Sequence, residues 1–230
     1  MTQIIIPAAG RGSRFVGSEF DKPKPLIEWD GKNMIEHVIE NFSTEGNSIF
    51  LLCREHHKIL IEGCNIMTID YTTDGPAISA ALFRESIDME EELIITNCDQ
   101  IILDWDKEKF LTHARNYDAA LGCFISTEPH NSYVRVDGEN LVVEVKEKEV
   151  ISNIATNGLH YWKKAKYFFD SLDEMVTRKD TTRGEYYVAP SYNYLIEKDY
   201  KIGIFMFNRH FPIGTPEQLR KFLKQTHGSK

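Results

Sequence analysis

The sequence has few cysteines, and their spacing excludes the common zinc-binding and disulfide-dependent designs. The 4 cysteines are Cys53, Cys64, Cys98 and Cys123. None forms a Cys-x-x-Cys pair, so the usual zinc spacing is absent. Three of them, Cys53, Cys98 and Cys123, lie in or beside apolar runs and are predicted to be buried free thiols. A chain of 230 residues buries enough surface to fold without a disulfide or a metal staple.

Long hydrophobic runs and an excess of basic residues are also missing. No run reaches the ~18 apolar residues of a membrane span, and the first residues lack the basic segment of a secretion signal. Lysine and arginine number 27 against 35 acidic residues, for a net charge of −8. This balance argues against a nucleic-acid partner, although one basic loop could still bind a small anion. We expect a cytoplasmic protein with neither a nucleic-acid nor a membrane partner.

Strands and helices alternate along the first 125 residues. Continuous apolar runs predict strands at 4–6, 49–53, 66–71, 93–95 and 119–124, and helical spacing predicts helices at 33–42, 75–83 and 106–115. Asp74 is the expected N-cap of the second helix, with Pro76 near its first position. This alternation predicts an α/β fold in which a mostly parallel sheet carries helices on both faces.

The pattern changes in the second half of the chain. Alternating residues at 133–137 and 141–145 flank Asp137-Gly138 and predict a β-hairpin. A strand at 154–162 and helices at 165–175, 187–197 and 216–226 complete the prediction, with Thr215 as the expected cap of the last helix.

A glycine-rich, basic loop follows the first predicted strand. It reads Ala-Ala-Gly-Arg-Gly-Ser-Arg-Phe at residues 8–15 and continues to Lys-Pro-Lys-Pro-Leu at 22–26. Backbone amides of such a turn lie at the carboxyl edge of a parallel sheet, where they bind phosphate oxygens. The segment also holds four cations in an acidic chain, namely Arg11, Arg14, Lys22 and Lys24. We therefore predict a ligand that carries phosphate.

Two common phosphate-binding loops do not fit this segment. A Walker A loop ends in Gly-Lys followed by Ser or Thr, which is absent here. The dinucleotide fingerprint needs a third glycine, and this chain has Phe15 in that place. The loop of the nucleotidyltransferases is the remaining candidate.

The opening segment resembles the sugar-phosphate nucleotidyltransferase family. The matching stretches are Ile-Pro-Ala-Ala-Gly-Arg-Gly-Ser-Arg-Phe at 6–15, Lys-Pro-Lys-Pro-Leu-Ile at 22–27 and Gly-Lys-Asn-Met-Ile-Glu-His at 31–37. Shorter matches follow in the family's order at 73–75, 97–100, 147–148, 157–158 and 213–219. The pair Asp99-Gln100 is similar to short bacterial members that act in capsule or surface-polysaccharide synthesis.

The resemblance implies a fold and a division of the chain. The fold would be a Rossmann-like, mostly parallel sheet with a small β-rich insertion covering the site. The whole chain, 1–230, would form one nucleotidyltransferase domain. Residues 1–125 would be its nucleotide-binding half and residues 126–230 its acceptor-binding half.

The resemblance also implies a reaction, in which an NTP and a sugar or polyol phosphate give a nucleoside diphosphate sugar and pyrophosphate with Mg²⁺ as cofactor. Arg14 and Lys24 would grip the triphosphate, Asp99 would bind Mg²⁺, and Lys148 would hold the acceptor phosphate. The nucleotide-binding set would be Ala8, Ala9, Gly10, Arg11, Gly12, Ser13, Thr73, Asp74 and Gly75. Asn157, Gly158 and Glu185 would bind the acceptor.

One departure from the family leaves the metal count open. Pro212 stands where many members carry a second metal-binding Asp, and Glu185 is the candidate replacement. Three other functions stay open: a cytidylyltransferase for a non-sugar phosphate such as phosphocholine, a catalytically silent nucleotide sensor, and a glycosyltransferase. Tyrosines at 186, 187, 192 and 194 could form the aromatic box that phosphocholine needs. The base, the acceptor and a homo-oligomeric state are left undetermined.

Overall fold

The computed structural model describes residues 1–43 and 46–227. Its strands are β1 Thr2–Pro7, β2 Glu28–Trp29, β3 Lys32–Asn33, β4 Asn47–Arg54, β5 Cys64–Ile69, β6 Glu92–Thr96, β7 Gln100–Ile102, β8 Ala119–Ile125, β9 Ser132–Val136, β10 Val142–Glu147, β11 Ile154–Trp162, β12 Ile202–Met206 and β13 His210–Pro212. Its helices are α1 Met34–Glu40, α2 Pro76–Ala81, α3 Lys107–Ala114, α4 Ala165–Thr177, α5 Tyr192–Ile196 and α6 Pro216–His227.

The central sheet is mixed but mostly parallel. Its main layer has the order β5-β4-β1-β6-β11-β8-β12. All of these strands run in one direction except β11, which is antiparallel to both β6 and β8. The α/β fold class predicted from the sequence is therefore confirmed, with β11 as a reversed strand inside the sheet.

Alternating side chains of the central strands pack into two separate hydrophobic cores, one on each face of the sheet. Ile5 and Ile95 pack with residues of α2, α4 and α5 on one face. Ile4 and Ile94 pack with α1 and α3 on the other. Because successive strand residues point to opposite faces, a continuous isoleucine run such as that of β1 requires cover on both sides. The prediction of helices on both faces is confirmed.

A third, smaller core lies beside the glycine-rich loop. Phe15 is only 1% exposed and packs with Met34, Ile213, Leu219 and Phe222. The core thus joins the loop to α1 and α6. The bulky residue that departs from the dinucleotide fingerprint is an apolar anchor for the loop.

The predicted hairpin forms β9 and β10, which pair antiparallel. Tyr133 of β9 pairs with Ala155 of β11, so the hairpin extends the sheet at the end where β11 begins. Residues on both arms of the hairpin line a cavity described below. This β-rich insertion lies over the candidate site as expected.

Two local predictions were wrong. Gly75, not Asp74, is the N-cap of α2. Residue 75 has a positive φ of 127°, which favours glycine, and the Asp74 carbonyl accepts a bond from the Tyr186 amide. The helix predicted at 187–197 is split into a 3₁₀ turn, Ala189–Ser191, followed by α5. Pro190 lies in the first turn of that segment, where its missing N–H costs nothing.

The predicted caps and thiols elsewhere are confirmed. Thr215 Oγ1 accepts a bond from the Gln218 amide at the start of α6. Cys53, Cys98 and Cys123 are buried free thiols. Within residues 1–43 and 46–227, no helix has the length and apolarity that crossing a membrane requires.

Candidate active site

The glycine-rich loop folds back onto the segment that carries Lys24. Gly12 has φ 62°, a left-handed conformation that favours glycine. A β-carbon there would lie 3.2 Å from the Lys24 Cβ and 3.4 Å from its amide nitrogen. The next residues make a 3₁₀ turn, in which the Phe15 amide donates to the Gly12 carbonyl at 3.1 Å. This close packing brings Lys24 to the loop, so that Lys24 lines the same two cavities as Arg14.

Two cavities meet at this loop. The first, of about 570 Å³, is lined by ten of the predicted residues: Ala9, Gly10, Arg11, Gly12, Ser13, Arg14, Lys24, Thr73, Gly75 and Glu185. The second, of about 390 Å³, is lined by Ala8, Asp99, Lys148, Asn157 and Gly158. Gly10, Gly12, Arg14 and Lys24 line both. The shared wall is therefore basic, which suits anionic groups approaching from either side.

Lys22 does not belong to this wall. Its Nζ lies 3.1 Å from a Glu28 carboxylate oxygen on an exposed surface. Of the four cations that the sequence places in the segment, Arg11, Arg14 and Lys24 line the cavities.

Lys24 of the shared wall forms an ion pair with Asp99, the predicted magnesium ligand, which lines the second cavity. Burial lowers the pKa of Lys24, but the Asp99 carboxylate and Cys98 together outweigh burial and leave the Lys24 pKa above its ordinary value. The ammonium is therefore charged at neutral pH. Gly214 makes room for the pair, since a β-carbon at that position would lie only 2.5 Å from Asp99 Oδ2.

The surroundings of Asp99 fit a magnesium ion held by one carboxylate. Among the described residues, no three His, Cys, Asp or Glu side chains cluster as a metal site. Pro212 pairs with Gln100 across β13 and β7, so no carboxylate stands at that position. Mg²⁺ commonly binds through one or two carboxylates and completes its shell with phosphate oxygens and water. Asp99 would supply the hard oxygen ligand, and both cavities have room for phosphate.

Lys148 reaches the second cavity from the end of the hairpin. It has φ 58°, and its amide donates to the Asn131 carbonyl at 2.9 Å. Its ammonium donates to the Tyr187 hydroxyl and also lies 3.9 Å from the centre of the Tyr187 ring. Burial lowers the pKa of Lys148, and the neighbouring Glu147 opposes that effect. The sequence offered Tyr187 only as part of an aromatic box, whereas in the structure it positions this cation.

The wall of the first cavity near Thr73 and Gly75 is fixed by a neighbouring segment of the chain. A β-carbon on Gly75 would lie 2.4 Å from the Tyr186 carbonyl oxygen, and the Ala77 amide donates to that oxygen at 3.0 Å. The Thr73 hydroxyl bonds to the Ser79 hydroxyl at 2.6 Å. Asp74 is exposed and does not line the cavity.

The predicted acceptor residues are divided between the cavities. Asn157 and Gly158 line the second cavity, whereas Glu185 lines the first. Gly158 has φ 81°, and a β-carbon there would collide with the Asn97 side chain. Asn157 Oδ1 accepts a bond from the Leu159 amide at 3.1 Å, while its Nδ2 has no partner among the described residues.

Three further polar residues in the second cavity were not predicted as ligands. Gln100 is 3% exposed and His160 is 4% exposed, and His210 lies nearby in β13. Gln100 Oε1, His160 Nδ1 and His210 Nδ1 find no hydrogen-bond partner in the described part of the chain. Burial lowers the pKa of His160 to about 3, so its imidazole is neutral. The signal for Gln100 in the sequence was its place beside Asp99 in the match at 97–100.

The tyrosines do not form an aromatic box. Tyr192 is fully buried, and its hydroxyl donates to the Ala120 and Tyr161 carbonyls. Tyr194 bonds to Asp180 instead of facing a cavity. The Tyr187 ring is already covered by the Lys148 cation. A quaternary ammonium would find no open aromatic cage among these residues.

Comparison with known proteins gives a family match and a set of relatives. The model of the family described as MobA-like NTP transferase domain matches residues 4–157. The bifunctional protein GlmU of Methanocaldococcus jannaschii is 27% identical over 218 residues, which cover 92% of this chain and 51% of the relative. GlmU of Methanococcus maripaludis is 25% identical over 223 residues, with the same coverage. The chain thus spans about half the length of the curated relatives it matches.

A solved structure shares the fold. The nucleoside-diphosphate-sugar pyrophosphorylase from Vibrio cholerae RC9 superimposes with a TM-score of 0.82 at 23% identity. The alignment covers 96% of this chain and 100% of that one.

Proposed function

The chain belongs to the MobA-like NTP transferase domain family, and on that premise we propose that it joins an NTP to a sugar or polyol phosphate. Membership confirms the nucleotidyltransferase class expected from the sequence. The products would be a nucleoside diphosphate sugar, or the matching polyol conjugate, and pyrophosphate. The observation that carries the proposal is the pair of cavities with Arg14 and Lys24 in their common wall.

In this proposal the first cavity binds the NTP and the second binds the acceptor. An acceptor phosphate oxygen attacks the α-phosphorus of the NTP, and the bond from that phosphorus to the bridging oxygen breaks. The bonding electrons leave with pyrophosphate. A phosphate monoester has its second pKa at about 6, so the nucleophile is already ionised and no general base is needed.

The work of the protein is then electrostatic and geometric. Arg14 and Lys24 neutralise the triphosphate and the charge that accumulates on pyrophosphate, and Lys148 holds the acceptor phosphate. Amides of the loop around Gly12 bind phosphate oxygens. Binding in adjoining cavities aligns the attacking and leaving oxygens.

Asp99 is the residue that would hold Mg²⁺, and the ion would neutralise phosphate charge in the transition state. Because Lys24 pairs with Asp99, we expect the triphosphate to draw Lys24 away and free the carboxylate. Glu185 remains the candidate for a second carboxylate, since it lines the NTP cavity together with Gly214, which adjoins Asp99.

The division into a nucleotide half, 1–125, and an acceptor half, 126–230, is part of the proposal. The lining of the first cavity supports it, since apart from Glu185 and Gly214 it comes from residues 7–79. The second cavity draws on both halves. A cytoplasmic role in capsule or surface-polysaccharide synthesis is a further proposal, which rests on the resemblance of the opening and Asp-Gln motifs.

The test is release of pyrophosphate from UTP, TTP, CTP and GTP, each combined with hexose 1-phosphates, glycerol 3-phosphate and phosphocholine in the presence of Mg²⁺. We expect one NTP and one hydroxylated acceptor to give turnover. Folded protein that releases no pyrophosphate with any pair, yet binds an NTP, would instead be the silent sensor. Consumption of a nucleoside diphosphate sugar without its synthesis would identify a glycosyltransferase.

A further inference from the structure

A third cavity, of about 280 Å³, adjoins the first at the glycine-rich loop. Its lining consists of Gly10, Arg11, Arg54, His56, His57 and Thr72. Gly10, Arg11 and Thr72 also line the first cavity, so the two cavities share a wall. Among the described residues, no acidic side chain lines the third cavity, and four of the six lining residues are basic. In a chain of net charge −8, this local excess of basic groups favours an anionic ligand.

Arg54 brings a buried positive charge to the third cavity, since this residue is only 8% exposed. Its Nε donates to the Ala9 carbonyl at 2.6 Å and its Nη1 to the Asp70 carbonyl at 3.1 Å. Its Nη2 donates to the Thr72 hydroxyl at 2.9 Å. All three of these acceptors are neutral, and they occupy three of the five N–H groups of the guanidinium. The described part of the chain thus gives Arg54 hydrogen bonds but no counter-charge.

A buried charge without a counter-ion is unusual, because burying an ion is costly unless an opposite charge lies close to it. Lys24 in the neighbouring wall meets this rule through its pair with Asp99. Arg54 does not, and it borders an open cavity instead. Arg11 Nε donates to the same Thr72 hydroxyl at 3.3 Å, which brings a second guanidinium beside the first. Two such groups at one cavity match the oxygens of a phosphate-like anion.

Two adjacent histidines complete the lining. The rings of His56 and His57 lie 4.5 Å apart between their centres. Burial lowers the pKa of His57 to about 4, and the neighbouring His56 and Arg54 lower that pKa further. His57 is therefore neutral at neutral pH and still has one ring N–H to donate. The effect of its neighbours on His57 shows that the electrostatic potential at this end of the cavity is positive.

We propose that the third cavity binds a phosphate-like oxyanion and that this anion opposes the binding of NTP. The anion site itself goes beyond the proposed function, and only its effect on NTP rests on that function. Arg11 lines both cavities, so an anion in the third cavity competes with the triphosphate for the same guanidinium. Two anions on either side of the shared wall also repel each other. The coupling acts equally in both directions, so NTP weakens binding of the anion by the same factor.

The test is a titration of the intact chain with inorganic phosphate, followed by the NMR signals of the His56 and His57 rings. These rings line only the third of the three cavities, so both signals should shift and saturate when phosphate binds there. Methyl phosphate is the second probe: an equal response assigns the site to phosphate esters, and no response assigns it to the free ion. The absence of a saturable shift with phosphate would overturn the proposal. The same shifts with NTP alone would also overturn it, because the cavity would then belong to the NTP site.

Substitution of His56→Glu tests the site without disturbing the bonds of Arg54. His56 is exposed, so the melting temperature should not change. A carboxylate in the cavity repels the anion, and the Kd for phosphate, read from the His57 signal, should rise about tenfold or more. Lys58→Gln is the matched control, because it also makes the chain more negative by one charge, and Lys58 is exposed and lines none of the three cavities. Equal weakening in both variants would show a general charge effect and reject the site.

The coupling is tested by calorimetry with the tightest-binding of UTP, TTP, CTP and GTP. Saturating phosphate should raise the Kd of that NTP in the wild type by about fivefold or more. In His56→Glu the rise should be smaller, since only direct competition in the first cavity remains. An equal rise in both proteins would reject the coupling. None of these measurements needs turnover, so this inference and nucleotidyl transfer can fail separately.

Discussion

Substituting Gly214→Ala moves the predicted metal ligand without removing it. A β-carbon on residue 214 would lie 2.5 Å from Asp99 Oδ2, whereas ordinary contact begins at 3.4 Å. The carboxylate must therefore retreat by about 0.9 Å. The backbone at 214 is not in the left-handed region, so alanine introduces no backbone strain there.

The expected effect is large on catalysis and small on stability. Misplacement of a catalytic group by ~1 Å costs ~10²-fold in rate, or about 2.7 kcal/mol in the barrier. The atom that must move is the end of a side chain, and the Lys24–Asp99 pair is partly exposed. The free energy of unfolding should therefore change by less than about 1 kcal/mol.

The assay combines steady-state pyrophosphate release with urea unfolding. Gly138→Ala is the control, because residue 138 lies in the hairpin turn without a left-handed φ, and a β-carbon added there would have nothing within 4 Å. That variant should keep wild-type kcat. If Gly214→Ala also keeps wild-type kcat, the placement of Asp99 at the reacting phosphates is refuted.

Three other predictions concern the loop and the buried histidine. Arg14→Ala should lower kcat by ~10²–10³-fold, because Arg14 acts on charge in the transition state, and should leave the melting temperature unchanged, because Arg14 is exposed. Lys24→Ala should lower kcat to a similar extent. Near-normal kcat in both variants would reject the role of these two cations. Phe15→Ala should lower the free energy of unfolding, measured in urea, by about 3 kcal/mol and raise the KM for NTP. If the KM stays unchanged while stability is lost, packing of Phe15 does not hold the loop in its NTP-binding conformation. In the folded protein the pKa of His160 is about 3, below the unfolded value near 6.5, so between these values only the unfolded state binds the proton. The free energy of unfolding of the wild type should therefore fall by up to about 1.4 kcal/mol per pH unit from this group as the pH drops from 6 to 4. An equally steep fall in His160→Phe would contradict that assignment.

The fold was largely predictable because its elements follow simple periodic rules. The isoleucines of β1 required a strand covered on both faces, and the Asp137-Gly138 turn marked the hairpin. The reversed direction of β11 was not predictable from its residues, since direction is set by pairing with β6 and β8. The late start of the helix predicted at 187–197 reflects Pro190 and the pairing of Tyr186 with residues 74–77.

The candidate site was predicted where a motif carries it and missed where only tertiary contacts do. The order of the motifs along the chain pointed to the loop residues and Asp99, which line the two cavities. The sequence offered Tyr187 only as part of an aromatic box and Gly214 only as part of the match at 213–219. Their roles follow from contacts with Lys148 and Asp99. Conversely, Lys22 matched the basic pattern of the loop but lies in a surface pair with Glu28. Sequence proximity does not decide which cations face a cavity.

The most direct test of the account is a crystal structure of the protein with the NTP that supports turnover. The triphosphate should lie in the first cavity, against the amides around Gly12 and between Arg14 and Lys24, with Lys24 withdrawn from Asp99. A nucleotide bound outside this cavity, with the loop uncontacted and the Lys24–Asp99 pair intact, would contradict the account.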